Sequence, residues 1–420
     1  MSVLLKQNIF PTLFLTFLVG MTLSCHKTEV SAPNTGNLKF YGGPLDDFPT
    51  ETIPTSDGGF AITGYTNRNL NNDMFLLKLD HDGNQQWYKT YGGPKDDAGN
   101  ALVQTSDGGY LITGSTNSFG KAKRNNTSYL DVYAVRTDQN GDTIWTRTYG
   151  YKSPGFNSHF NDYANTVCNA ADGSHYIGGL TYNYVVNHFA YPASLVMKIK
   201  DNGDTIWTKG FDPSYIAFVN TRGLAALMED KDQNLVTCGY TDSVNFKKIS
   251  PNGNIVWSNK NAVASTGAGL PYVIGYANNL IQKSDGSYNV ICTVTDNYVA
   301  LSIISGINIS NNGKWVTVQN LDSIVEPSVA SCGFQGAIND ADYIFAVSNS
   351  TYNNVGPGGF NIYYLWQSPK TLLLLKTLGG WPVSIIQGNG GKFFITGYAN
   401  KSGTSHTTIF TESVVYLKAD

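Results

Sequence analysis

A chain of 420 residues with 28 basic and 31 acidic side chains has a formal charge of only −3, which excludes the strong basic excess of a nucleic-acid-binding surface. Only 14% of the residues are charged, while 13% are aromatic and 44 are Gly, which excludes a disordered chain and marks one rich in turns. Many short strands joined by tight turns satisfy that composition.

Residues 1–24 read as a signal peptide, with Lys6 ahead of an apolar run from Ile9 to Leu23 that is short for a membrane span. The stretch Thr22-Leu23-Ser24-Cys25 resembles a bacterial lipobox, although Thr22 stands where Leu is commonest. That resemblance implies a lipid on Cys25, so that the chain is exported and anchored to a membrane rather than spanning it. An ordinary signal peptide that happens to contain a Cys is the alternative. Residues 25–37 are polar and contain Pro33 and Gly36, as a flexible tether does. The other cysteines, Cys168, Cys238, Cys292 and Cys332, lie in apolar, strand-like contexts without CxxC or Cys/His spacing. Buried free thiols are expected there, with bridges between neighbouring repeats as the alternative.

The next segments repeat. YGGPLDD (41–47), TSDGGFAITGYTN (55–67) and DMFLLKLDHDGNQQW (73–87) align with YGGPKDD (91–97), TSDGGYLITGSTN (105–117) and DVYAVRTDQNGDTIW (131–145). Each unit reads as four strands: one ending at the DGG turn, one after it, a third, and a fourth entered through an NG-type turn. The first turn recurs at Asp172, Asp232, Asp285, Asp340 and Asn389. The second recurs at Gly83, Gly141, Gly203, Gly253 and Gly313, followed by Trp87, Trp145, Trp207, Trp257 and Trp315. In the sixth unit Leu374 takes the Trp place. The Trp residues are expected to pack between units rather than form a ligand ladder.

The chain ends on the third strand of a unit, Val415 to Asp420, and the missing fourth strand matches Leu38 to Gly43. The expected fold is therefore all-β: a single closed seven-bladed β-propeller over residues 38–420, its N-terminal strand completing the last blade. Closure of that kind removes the exposed sheet edges of an open array.

The DGGYLITGST and NGDTIW repeats resemble the tandem propeller repeats of bacterial and archaeal secreted proteins and lipoproteins, and are similar to quinoprotein-like blades. Together with the lipobox and the high Asn and Tyr content, they resemble a lipoprotein of the Bacteroidetes type. The resemblance implies an outer-membrane lipoprotein on either the periplasmic or the surface side. It implies an architecture with many functions and transfers no catalytic residue.

In such blades the turns between strands one and two and between three and four share one face, and here they are short in every unit. Length varies on the other face, in 117–131, 151–162, 182–193, 212–222, 259–276 and 350–359, where binding is expected. The third unit contributes Tyr182, Tyr184, His188, Phe189 and Tyr191 on one loop and Phe156, His159 and Phe160 on the loop leading into it. Aromatic rings with polar tips suit sugar faces or peptide side chains, or else pin long loops down. The adjacent Lys121, Lys123 and Arg124 form a basic loop tip.

Asp46-Asp47 and Asp96-Asp97 precede the first strand of successive units, and Asp162 matches that place in the third. Such pairs are weak candidates for Ca²⁺ or for acid–base work, but their repetition favours turn capping. The run Asp80-His81-Asp82-Gly83-Asn84 opens like a calcium loop yet lacks the later Glu, which favours a hairpin turn. No HExxH, GxSxG or phosphate-loop pattern is present. A sialidase-type Asp box is disfavoured because the interval from Gly83 to Trp87 is too long, and a quinone dehydrogenase because there is no adjacent Cys pair. No cofactor is expected, with Ca²⁺ as the exception. The reading is a monomeric, envelope-anchored, non-catalytic propeller that binds a glycan or protein partner and no nucleic acid. A carbohydrate-active hydrolase or lyase with carboxylates near the channel mouth, and a purely structural envelope protein, are the alternatives.

Overall fold

A computed structural model describes residues 39–42, 46–67, 71–120, 123–124, 127–152, 160–213, 223–240, 244–261, 273–296, 301–324, 334–337, 343–349, 359–367, 370–379, 381–387, 392–400 and 407–415. The expected signal peptide, Cys25 and its tether, Phe156, His159 and residues 416–420 lie outside them. The described residues form one compact unit.

The described residues form seven four-stranded antiparallel sheets. Six are consecutive in sequence. The second, for example, runs through Asp97–Gln104, Tyr110–Thr116, Asp131–Thr137 and Thr143–Tyr149. The seventh joins Trp381–Gln387, Lys392–Asn400 and Thr407–Val415 to Lys39–Tyr41 from the other end of the chain, with Phe40 opposite Phe410. The first strand of each sheet lies against the first strand of the next, and Asp47–Pro54 lies against Trp381–Gln387.

Burial explains the strand patterns. In the second sheet every residue of the two middle strands is buried, whereas the fourth strand, Thr143–Tyr149, is largely exposed. Middle strands covered on both faces by neighbouring sheets tolerate continuous apolar runs such as YLIT and VYAV. First strands carry a β-bulge, as between Pro49 and Glu51 and between Gly99 and Ala101. The bulged side chain then reaches the next sheet: Thr50 Oγ1 donates to Gly99 O at 2.8 Å, and Asn100 Nδ2 donates to Ala164 O at 2.8 Å.

The Asp80 run is a hairpin turn. The Asp80 carboxylate accepts the Asp82 and Asn84 N–H groups at 2.9 and 2.7 Å, and Gly83 N–H donates to Asp80 O. This turn is also the seat of the contacts between sheets. Gly141 has φ +78°, and a Cβ there would lie 2.8 Å from the Trp87 ring of the preceding sheet; Trp145 and Trp257 cover Gly203 and Gly313 in the same way. The indole N–H of Trp145, Trp207 and Trp257 each donates to a carbonyl of the next sheet's turn at 2.9 Å. Tyr91 and Tyr149 hydroxyls donate to Gly141 O and Gly203 O at 2.7 Å. At the junction of the seventh and first sheets Tyr41 donates to Gly83 O, Lys39 donates to Asp82 O, and Phe60 stacks on Phe394 with centroids 3.7 Å apart. Trp87, Trp145, Trp207 and Trp257 therefore pack between sheets, as their fixed place in the repeat predicts.

A second repeated contact was not anticipated. The penultimate residue of the third strand is a cation in the first four sheets, and it meets the Asp of the first turn: Lys78–Asp57 at 2.8 Å, Arg136–Asp107 at 2.7 Å, Lys198–Asp172 at 2.8 Å and Lys248–Asp232 at 3.3 Å. The cations are buried and the carboxylates half exposed. Burial pushes the Asp57, Asp107 and Asp172 carboxyls up, but hydrogen bonds from these cations, from Thr55, Thr105 and Ser174, and from turn N–H groups outweigh it and hold each at about 2.

Two outcomes follow from these contacts. Gly141 and Gly173 share φ +78°, but nothing lies within 4 Å of the Gly173 Cβ position. Gly173→Ala should cost only the left-handed backbone penalty, about 1 kcal/mol, and Gly141→Ala clearly more; equal losses in denaturant melts would refute the packing role of Trp87. The depressed carboxyls add stability that is present above about pH 4, their unfolded pKa, and is lost as pH falls toward 2. Lys198→Met should therefore lose less thermal midpoint than the wild type on acidification from pH 5 to 2.5.

Candidate functional site

The variable face of the third sheet differs from the sequence expectation. Residues 182–193 are not a loop but the end of a projecting β-ribbon, because His175–Val186 and Phe189–Ile199 run 12 and 11 residues. Their register continues through Tyr184↔Tyr191 and Val186↔Phe189 to a two-residue turn, Asn187-His188, with φ of 49° and 69°. A turn with positive φ at both positions matches the twist of a ribbon. Cross-strand partners share a face, so Tyr184, Val186, Phe189 and Tyr191 line one side of it.

A bulge between Thr181 and Tyr184 turns Asn183 inward, where it is 1% exposed. Its Oδ1 accepts Phe160 N–H at 2.7 Å, and its Nδ2 donates to Phe160 O at 3.0 Å and to Asp162 Oδ2 at 3.1 Å. Asp162 Oδ2 also accepts Tyr151 N–H at 2.8 Å. One amide and one carboxylate thus tie the ribbon to both described ends of the segment joining the second sheet to the third. Sequence reasoning passed over Asn183. The available signal was a lone Asn between two Tyr residues of an alternating run.

Around this hub the rings pair off. Tyr184 lies parallel to Tyr151 with centroids 6.4 Å apart, Tyr182 meets Tyr163 edge-on at 6.4 Å, and Phe160 meets Tyr129 edge-on at 5.9 Å. A Cβ on Gly210 would come within 2.7 Å of Tyr184 and 3.1 Å of Tyr151, so glycine there permits the parallel pair. Phe189 is 66% exposed near the ribbon tip, beside the exposed His188 in the turn. Phe160, Tyr182 and Tyr184 are brought together through Asn183, while His188 and Phe189 project away from the hub. Lys123–Arg124 pairs with Thr127–Ser128 in a short two-stranded ribbon.

The repeated carboxylates are caps. Asp47, Asp97 and Asp162 each open a first strand, each face a Thr in register, and each are 1% exposed. Asp97 Oδ2 accepts Gly93 N–H and the Ser118 hydroxyl, both at 2.7 Å, and Asp96 accepts Asn72 N–H at 2.9 Å. Asp46 contributes its backbone carbonyl, which accepts Asn67 N–H. Among the described residues no group of three or more His, Cys, Asp or Glu side chains is placed to hold a metal ion. Two carboxyls stand out electrostatically. Burial pushes Glu51 up to about 8 against the lowering effect of a hydrogen bond from Leu102 N–H, and burial pushes Asp162 up to about 7, helped by Asp131 and opposed by Thr181, Tyr151 and Asn183. Cys168 and Cys238 form no disulfide; Cys238 is buried, as expected, while Cys168 is half-buried, and Cys332 lies outside the described residues.

No family model matches the chain, and no curated protein matches it. Among solved structures it is similar to the Neurospora crassa Pan2 WD40 domain, with a TM-score of 0.51 and 10% identity over 90% of this chain and 94% of that one. It is also similar to YCF48 bound to D1 peptide, with a TM-score of 0.50 and 11% identity over 92% of this chain and 97% of that one. The fold is that of a β-propeller. The ribbon belongs to its third sheet.

Asn183→Ala removes both partners of the Phe160 peptide and one partner of Asp162. Each buried group left unpaired costs about 1–3 kcal/mol. The variant should melt earlier and admit protease cleavage near Phe160, whereas an unchanged digestion pattern would remove Asn183 from its place at the hub.

Proposed function

We propose that the seven sheets are blades of one closed propeller and that it is a non-catalytic binding module, anchored in the cell envelope through Cys25. It takes a glycan or protein partner on the blade-three ribbon. Closure is supported by the pairing of Lys39–Tyr41 with Thr407–Val415 and by the contact of the first strand of sheet one with that of sheet seven. The binding role rests on one observation: an aromatic face carried by Tyr184, Phe189 and Tyr191 stands beyond the blade on a ribbon fixed at its base by Asn183. Rings whose supports are already ordered lose little entropy on binding, and they offer area to a sugar face or a peptide side chain alike.

Turnover is the weaker reading, because a hydrolase or lyase needs two carboxyls opening on a shared pocket. Asp162 and Asp131 come from different blades, yet they are 1% and 5% exposed, and Asp162 is engaged by backbone and amide donors. Glu51 accepts a backbone N–H of the next blade at 2.5 Å. The propeller YCF48, solved with a peptide bound, supports a protein partner.

The test is a screen of thermal midpoint against neutral and acidic oligosaccharides and a peptide array, since a ligand selective for the native state raises the midpoint. Phe189→Ala should leave the ligand-free midpoint nearly unchanged, because the ring is exposed, and should weaken binding at least tenfold. Undiminished binding by Phe189→Ala and Tyr184→Ala would move the site elsewhere, and a panel without any hit would favour a structural role.

A further inference from the structure

The base of the blade-three ribbon holds a carboxyl whose two oxygens are treated unequally. Asp162 Oδ2 accepts from Tyr151 N–H and Asn183 Nδ2, while Oδ1 is buried without a hydrogen-bond partner. Across Gly150 stands Asp131, which opens the third strand of blade two and is 5% exposed. A Cβ on Gly150 would lie 3.2 Å from Asp131 Oδ1 and 3.6 Å from Asp162 Oδ2, so the two carboxyls converge on one point. The other titratable groups facing Asp162 are the phenols of Tyr151 and Tyr163, each pushed up first by burial and then by neighbours that include the Asp162 charge. Blade two repeats the convergence with Asp73 and Asp97 across Gly92, and Asp97 Oδ1 is likewise buried without a hydrogen-bond partner, but there the Ser118 hydroxyl donates to Asp97 Oδ2 and the strands Tyr110–Thr116 and Asp131–Thr137 do not themselves continue into a ribbon.

We propose that Asp162 is a proton-operated latch: with a proton it locks the ribbon to the Tyr151 and Phe160 ends of the preceding segment, and without one it lets them part. A proton on Oδ1 leaves Oδ2 free to keep its hydrogen bonds from Tyr151 N–H and Asn183 Nδ2, so the protonated latch is uncharged. Loss of the proton leaves a buried charge beside Asp131, and an opening that admits water to the carboxylate relieves it. Opening then releases one proton. The opening equilibrium therefore rises about tenfold per pH unit from about 4, the ordinary carboxyl value, up to the raised value of about 7, and is level above it. The consequence for ligand capture rests on the binding reading above, but the latch itself is measurable with no ligand present.

Hydrogen exchange of the full chain followed by mass spectrometry, on peptides carrying the Tyr151, Phe160 and Asn183 amides, tests this between pH 5 and 8. After correction for the intrinsic rate, protection should fall about tenfold per unit up to pH 7 in the wild type, and Asp162→Asn should flatten that slope. A pH-independent wild type, or an equal slope in Asp162→Asn, would overturn the latch. Should the variant not fold, carbon-13 titration of the wild-type aspartate carboxyls decides: one carboxyl titrating near 7 supports the latch, and all of them titrating in the ordinary range refute it. A null ligand screen with this slope intact would sink the binding reading alone.

Discussion

A glycine turn gripped by the previous sheet is the contact on which the rest of the molecule depends. Gly141 and Gly203 take left-handed backbone, lack a Cβ, and thereby let Trp87 and Trp145 lie against them, while Tyr91 and Tyr149 bind their carbonyl oxygens. No single four-stranded unit can bury both of its faces, so each relies on this grip for its core. Tyr41 and Lys39 apply the same chemistry to the Gly83 turn from a strand that lies at the start of the chain.

The buried cations Lys78, Arg136, Lys198 and Lys248 reinforce that side of the blades by holding the Asp of each first turn. A buried ammonium or guanidinium without its carboxylate is costly, so these positions bind the third strand to the turn and fix its end. With one side of each blade fastened in this way, the other is free to change length. Blade three uses that freedom for a ribbon whose neutral, tyrosine-rich face contrasts with the charged turns.

Charge is handled differently on the two sides. On the turn side Asp57, Asp107 and Asp172 each have a cation and further donors that hold the carboxyl below its ordinary value. Under the ribbon, Asp162 is buried beside Asp131, and the donors Tyr151 and Asn183 engage only one of its oxygens. The same residue type is a fastening in one place and a proton-sensitive element in the other, because solvent and partners differ.

The four-strand repeat, both turn types, the intersheet place of Trp87 and Trp145, and the match of Leu38–Gly43 to a missing fourth strand were all legible in the amino-acid order. Glycine turns and strand-forming apolar runs are local properties and repeat with the sequence. The capping role of Asp97 was legible for a similar reason, since a residue needed in every blade recurs in every blade. The ribbon was misread as a loop because its strands are recognisable only once Tyr184 faces Tyr191 and the Asn187-His188 turn closes between them. Asn183, its contact with Asp162 and the contacts of the four cations with the Asp of each first turn were hidden for a further reason: these partners lie 16 to 29 positions apart along the chain. Local order in the sequence set the units and their turns, whereas the sites that bind, fasten or titrate were decided by tertiary register, because a side chain's solvation and partners exist only once distant strands are paired.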